Sequence, residues 1–220
     1  MNDEEPISPT ATKSNIGQAA RFELSASGQP GGGNVGTALA RNRAFAAAGG
    51  HEGAAVFPNL GLFVITCMDP RVDPAHFFGL ELSDAIVVRN VGGRVTPEVI
   101  NDVAFIGQIA ESAVPRGPLF EVAVIHHTQC GAGALADDGF RHSYAERIGV
   151  EESTLREHAI LDPAATVTSD VERLRSAPAI SPRVSVSGHV YDVVTGLVQP
   201  ILPAGRHEGL ADSATQRSRA

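Results

Sequence analysis

Short apolar runs, each closed by a polar cluster, a glycine or a proline, recur between Leu62 and Ile201. Leu62 to Ile65, running into Thr66-Cys67-Met68-Asp69-Pro70-Arg71, reads as a buried parallel strand that ends in reactive groups. Ala85 to Arg89 and Phe120 to His126 have the same form and read as two further buried strands. Between them, Thr96-Pro97 supplies an N-cap and a proline at the first helical position. Val99, Val103, Ile106, Ile109 and Ala110 then recur at helical spacing, which predicts a helix to about Ser112. Short helices are expected over Ala75 to Phe78, Phe140 to Gly149 and Ser153 to Ala159. Asp162-Pro163 reads as a break, with a helix over Thr168 to Arg175 capped by Thr168 or Ser169. Val184 to Val190 alternates polar and apolar residues as a strand does, and Leu197 to Ile201 reads as an antiparallel edge strand after a turn. Strands alternating with helices predict an α/β fold: a mostly parallel sheet of about four strands plus an antiparallel edge strand, flanked by helices.

The ends of the chain differ from this middle. Residues 1–34 are rich in Ser, Thr, Pro, Gly, Asn and Gln, a composition that cannot bury enough apolar surface to offset the entropy of ordering. They are expected to form a disordered N-terminal tail, and residues 203–220 a C-terminal tail. The single domain then spans residues 35–202 and opens with an Ala-rich helix, Thr37 to Ala48, stopped by Gly49-Gly50. The Gly31 to Gly33 run follows no strand and lacks a P-loop lysine, so it reads as linker.

A formal net charge of -8 argues against a nucleic-acid or anionic-membrane partner, because both need a basic footprint. No apolar run is long enough to predict a membrane span. The acidic start, Met-Asn-Asp-Glu-Glu-Pro, lacks the basic and apolar regions of a signal peptide, so the protein reads as cytoplasmic. The sequence has only 2 cysteines, and in a reducing compartment such sparse use favours metal binding or catalysis over disulfides.

Both cysteines end strand stretches. If those strands are parallel neighbours, Cys67, His127 and Cys130 converge at the carboxyl edge of the sheet, where open α/β folds place ligands. Two thiolates and an imidazole form a soft set that favours Zn2+. No third cysteine closes the set with a fourth ligand, which tilts it toward catalysis. Each cysteine alone would read equally well as an inert core thiol. Asp69 has two readings. Paired in a fork with Arg71 it leaves the metal open; unpaired it swings onto the metal and closes it. His126 points away from His127 along an extended strand and reads as a packed, supporting histidine. His51, His76, His142, His158, His189 and His207 read as surface or core residues, Asp73 as an N-cap, and Arg89-Asn90 as support for the site.

Taken together, Cys67-Met68-Asp69-Pro70-Arg71, Val88-Arg89-Asn90-Val91-Gly92-Gly93 and His126-His127-Thr128-Gln129-Cys130-Gly131 resemble the β-class carbonic anhydrases, in particular their short bacterial branch. Gly188-His189-Val190-Tyr191-Asp192 to Gly196 is similar to the closing strand pair of that family. The resemblance implies zinc ligands at Cys67, His127 and Cys130 and a catalytic dyad at Asp69 and Arg71. It implies a zinc-dependent carbonate dehydratase that interconverts carbon dioxide and bicarbonate. It also implies a homodimer or a dimer of dimers, with the N-terminal helix packed on the neighbouring subunit. The chain departs from the family pattern at Pro70, commonly Ser or Ala, at Gln129, commonly Asp, and at Ala132, frequently Met. Two rivals stay open: hydrolysis of carbonyl sulfide or carbon disulfide on the same site, and a non-catalytic zinc-binding regulatory protein with Asp69 on the metal.

Overall fold

The computed structural model describes residues 35–206. The expected N-terminal tail, the Gly31 to Gly33 run and His207 lie outside the described residues. The chain divides into two units, the first ending at Ala48 and the second starting at Gly49. The first contains one described element, α1 (Gly36–Ala47), none of whose residues is buried.

In the second unit, β1 (Leu62–Cys67), β2 (Ala85–Asn90), β3 (Glu121–His127), β4 (Ser185–Tyr191) and β5 (Val198–Arg206) form one sheet in the order β2-β1-β3-β4-β5. The first four strands pair in parallel and β5 runs antiparallel at the edge, as the pattern predicted. Between the strands lie α2 (Pro74–Phe77), α3 (Pro97–Ala113), α4 (Asp138–Ile148), α5 (Glu152–Glu157) and α6 (Pro163–Ser176). The main core joins one sheet face, with Phe63, Ile65, Val122 and Val124, to Val99 and Val103 of α3 and Val167, Val171 and Leu174 of α6. A smaller cluster on the other face holds Val64, Ala123 and Ile125, with Phe77 and Tyr191 packed against it. No helix among the described residues is long and apolar enough to cross a membrane.

Four expectations need correction. β2 is an edge strand and half-exposed, not buried, because β1 and β3 take the centre of the sheet. Ile109 faces solvent; the buried side of α3 is Val99, Val103, Gly107 and Ala110. Asp162-Pro163 does not break the chain but starts α6: the Asp162 carboxylate accepts from the amides of Ala164 and Ala165 at 2.9 and 3.1 Å, and Pro163 takes the first helical position, where its missing N–H costs nothing. Finally, β5 runs to Arg206, past the expected start of the tail at residue 203.

Two features tie this frame to the strand ends. The loop after β2 turns through Gly92 and Gly93, both at positive φ. A Cβ on Gly93 would stand 2.7 Å from the carbonyl carbon of Thr66 and 2.8 Å from the amide nitrogen of Cys67. Directly beyond, Arg94 grips Asp170 of α6 in a fork, Nε to Oδ2 at 2.7 Å and Nη2 to Oδ1 at 3.1 Å, with Asp170 fully buried. Burial alone would raise the Asp170 carboxyl, but the His126 ring and the Arg94 fork outweigh it and hold the group at about 2 against an ordinary 3.8.

Asp170 is therefore a carboxylate whose folded form prefers ionisation. Its contribution, on the order of 2 kcal/mol, is present above its unfolded pKa and lost as pH falls through its folded one. Denaturant unfolding between pH 7 and pH 2 should show wild type losing stability on acidification, and Asp170→Asn, weaker at pH 7, losing less. Equal losses in the two proteins would contradict the ionised carboxylate. For the loop, Gly93→Ala should cost more than about 2 kcal/mol, from strain at positive φ plus the clash. Gly61→Ala is the comparison, also at positive φ but with nothing within 4 Å of the added carbon; it should cost only about 1 kcal/mol. Similar unfolding midpoints for the two would remove the close approach as a constraint.

Candidate metal centre

The sheet brings the expected donors together. Cys67 is the last residue of β1 and His127 the last of β3, both buried. The two strands pair in parallel up to Thr66 opposite Ile125, so their ends lie side by side. Cys130 returns in the loop after β3. Its Sγ lies 3.9 Å from Sγ of Cys67, and the donor atoms of all three residues fall within 4.8 Å of one another. Among the described residues this is the one such cluster of His, Cys and carboxylate groups.

The ring of His127 is fixed by its other nitrogen. Nδ1 lies 2.9 Å from the Thr128 carbonyl, which can only accept, so Nδ1 carries the proton. Nε2 is buried and without a hydrogen-bond partner. A buried nitrogen in that condition needs a proton or a metal. Two sulfurs on one tetrahedral zinc stand about 3.8 Å apart, given Zn–S bonds of about 2.3 Å, whereas a disulfide would need about 2.05 Å. The residues fit a soft divalent cation.

The thiols alone are electrostatically uneven. The hydrogen bond from Cys130, helped by His127 and the Asp69 amide against burial, pulls Cys67 down to about 4. Cys130 is pushed up by the Cys67 sulfur beside it and by burial. One negative charge and one proton thus occupy two adjacent sulfurs.

Asp69 takes the paired arrangement. Arg71 Nε donates to Oδ1 at 3.0 Å and Nη2 to Oδ2 at 2.7 Å. The Arg71 amide also donates to Oδ1, at 2.9 Å. The Arg71 guanidinium beside Asp69 holds its carboxyl at about 2, so it stays ionised and can only accept. The same Nη2 reaches the Gln129 carbonyl at 3.1 Å, which ties the β1 loop to the Cys130 loop. Pro70 belongs to this geometry. Val72 N–H donates to the Asp69 carbonyl at 2.9 Å, closing a four-residue turn with proline at its second position, where a fixed φ suits it. Gln129 carries a positive φ of 56°, unusual for a residue with a Cβ, and that twist presents its carbonyl to Arg71.

Supporting residues fall where the strand ends suggested. Arg89 donates to the carbonyls of Cys67 and Asp69 at 3.0 and 2.7 Å and pairs with Asp73 at 3.3 Å. Asp73 caps α2 through the Ala75 amide. Thr128 is moored to the β4–β5 hairpin by Asp192 and the Val193 amide. His126 points away from the donors, its Nδ1 3.2 Å from Thr166 Oγ1. A cavity of about 450 Å³ opens beside Arg71, lined also by Asp73, His76, Phe77 and Tyr191; none of the three donors lines it. Sequence reasoning missed Arg94 and Asp170. The glycine pair after β2 was visible, but its close approach to Cys67 was not.

The chain is similar to known proteins over most of the length of this sheet. The profile of the carbonic anhydrase family matches residues 62–198. The chain is 28% identical to β-carbonic anhydrase 1 of Mycobacterium tuberculosis, over 66% of this chain and 85% of that protein. It is 28% identical to a carbon disulfide hydrolase of Acidianus sp. (strain A1-3), over 62% of this chain and 75% of that one. The crystal structure of carbonic anhydrase from Streptococcus mutans superposes with a TM-score of 0.61 at 30% identity, covering 75% of this chain and 95% of that one. With the profile spanning more than half of the sequence and the fold in agreement, the chain belongs to the β-carbonic anhydrase family of enzymes.

Proposed function

We propose that this protein is a zinc-dependent carbonate dehydratase, catalysing the reversible hydration of carbon dioxide to bicarbonate in the cytoplasm. The observation that carries the reading is the Asp69–Arg71 fork beside three convergent donors: both carboxylate oxygens are engaged by Arg71. Cys67, His127 and Cys130 would hold zinc, and the bound ion would supply the Lewis acidity that makes water a nucleophile near neutral pH. Asp69, ionised and unable to donate, accepts a hydrogen bond from the reacting solvent molecule and fixes its orientation. Arg71 keeps Asp69 off the donor set and aimed. Thr128 O holds His127 in the tautomer whose Nε2 is free to bind. Three protein donors, one fewer than a closed structural site has, suit a catalytic centre.

A homodimer or a dimer of dimers is part of this reading. It is supported by α1, which has no buried residue although Leu39 is apolar, and by the outer edge of β2, unpaired among the described residues, where Val87 is exposed. The second reading, hydrolysis of carbon disulfide or carbonyl sulfide, is favoured by the similarity to the Acidianus enzyme. A linear, weakly polar electrophile would meet the same groups.

Stopped-flow measurement on protein of known zinc content tests both readings. Hydration of carbon dioxide should rise toward alkaline pH, because two thiolates donate more charge to a cation than imidazoles do. Asp69→Ala should keep its zinc and lose about 100-fold or more in rate. Full activity in that variant would remove Asp69 from the mechanism. Sulfide release from carbon disulfide or carbonyl sulfide faster than carbon dioxide hydration would establish the second reading. Zinc-loaded protein without either activity would leave a non-catalytic regulatory role.

A further inference from the structure

Arg94, Asp170 and His126 have no part in the mechanism above, yet all are buried. The loop that ends at Arg94 touches two of the three ligand segments. On one side Gly93 lies against the backbone of Thr66 and Cys67. On the other, a Cβ on Gly92 would stand 2.9 Å from Ile160 Cδ1 and 3.3 Å from Ala132 Cβ, two residues past Cys130. Asn90 closes this loop on itself: its Oδ1 accepts from Arg94 N and its Nδ2 donates to Arg94 O, both at 2.8 Å. The third ligand segment is reached through His126, the neighbour of His127. Its Nε2 stands 3.3 Å from Asp170 Oδ2, in contact with it though not aligned as a hydrogen bond. Asp170 Oδ2 also accepts from the Val95 amide at 3.1 Å, and Arg94 Nη1 donates to the Glu157 carbonyl at 2.7 Å.

We infer that Asp170 is a positioning residue of the metal centre. Through Arg94, one carboxylate on α6 fixes the loop that braces Cys67 and the Cys130 segment; through His126 it fixes the strand end that carries His127. The apolar contacts of Val167, Val171 and Leu174 hold α6 on the sheet, Arg175 ties its end to the carbonyls of Val186 and Pro203, and the Asp170 fork joins it to the loop that braces the donors. A bidentate fork has one geometry, and a metal site tolerates only about 0.5 Å of error in its donors. The inference rests on the zinc reading above, since it concerns where the donors of that metal are held.

Four zinc-loaded full-length proteins test it: wild type, Asp170→Asn, Arg94→Lys and Leu174→Ala. Leu174→Ala weakens the packing of the same helix and leaves the fork alone. The readouts are the rate of zinc transfer to a chromophoric chelator and the visible spectrum of the cobalt(II)-substituted protein, whose thiolate charge-transfer and d–d bands report donor geometry. Asp170→Asn and Arg94→Lys should hold zinc about 10- to 100-fold less tightly and change the cobalt bands. Leu174→Ala, less stable to denaturant, should match wild type in both. Asp170→Asn with wild-type release and spectrum, or Leu174→Ala shifting both equally, overturns the inference. If Asp170→Asn does not fold, Arg94→Lys, which keeps the charge and loses the fork, carries the test; collapse of both makes the pair a folding element only and also overturns it. Wild type that takes up neither zinc nor cobalt is a different failure, that of the metal reading itself.

Discussion

Two sulfurs held 3.9 Å apart in a half-buried site resist both being anionic without a cation between them, and the pairing of the central strands creates that constraint. Left alone, the two sulfurs shift in opposite directions, Cys67 pulled down and Cys130 pushed up by the sulfur beside it. Parallel pairing of β1 with β3 sets Cys67 and His127 at neighbouring strand ends, and a tight loop returns Cys130 to face them. The register admits no error. A slip of one residue on β3 would turn His127 to the other face of the sheet and bring His126 to the donors in its place. Val122 and Val124, buried against α3 and α6, and Ala123 and Ile125, buried on the other face, fix the register.

The strand ends were legible in the sequence because their chemistry is local. An apolar run that stops in Cys-Met-Asp-Pro-Arg, or in His-His-Thr-Gln-Cys, announces both the strand and its reactive terminus. Thr96-Pro97 was legible for the same reason. Asp162-Pro163 was misread, although it uses the same device, because proline after a polar residue marks a helix start as readily as a chain break. Only the amides of Ala164 and Ala165, both donating to Asp162, decide between the two. Ala85 to Arg89 was misplaced in the interior since an apolar run looks alike at the edge of a sheet and at its centre. The link from Arg94 to Asp170 spans 76 residues, and no local pattern carries a contact of that range.

The two departures from the family pattern beside the donors have physical roles in this chain. Pro70 gives up a backbone donor, but it sits in the turn that folds Arg71 back over Asp69, where a fixed φ lowers the entropy lost on ordering. Gln129 removes a negative charge next to Cys130 and adopts a left-handed backbone that costs on the order of 1 kcal/mol. Its carbonyl then accepts from Arg71, so the strain is offset by a charge-assisted bond that joins the two ligand loops. The Pro70 turn and the Gln129 carbonyl bear on the same guanidinium, and both restrict where it can go.

Charge balance explains why that restriction matters in the proposed centre. A divalent cation would be neutralised by the two thiolates, and Asp69 is neutralised by Arg71. Were Arg71 to leave, Asp69 would be a third anion beside the cation and would compete for it, since carboxylate oxygen is also a zinc ligand. The fork of Arg71, the Gln129 carbonyl that steadies it, and the grip of Arg89 on the Asp69 carbonyl all act against that collapse. In the proposed centre the carboxylate would thereby be kept as an acceptor for solvent and out of the coordination sphere. The difference between an open and a closed centre comes down to which cation, guanidinium or metal, holds the two oxygens of Asp69.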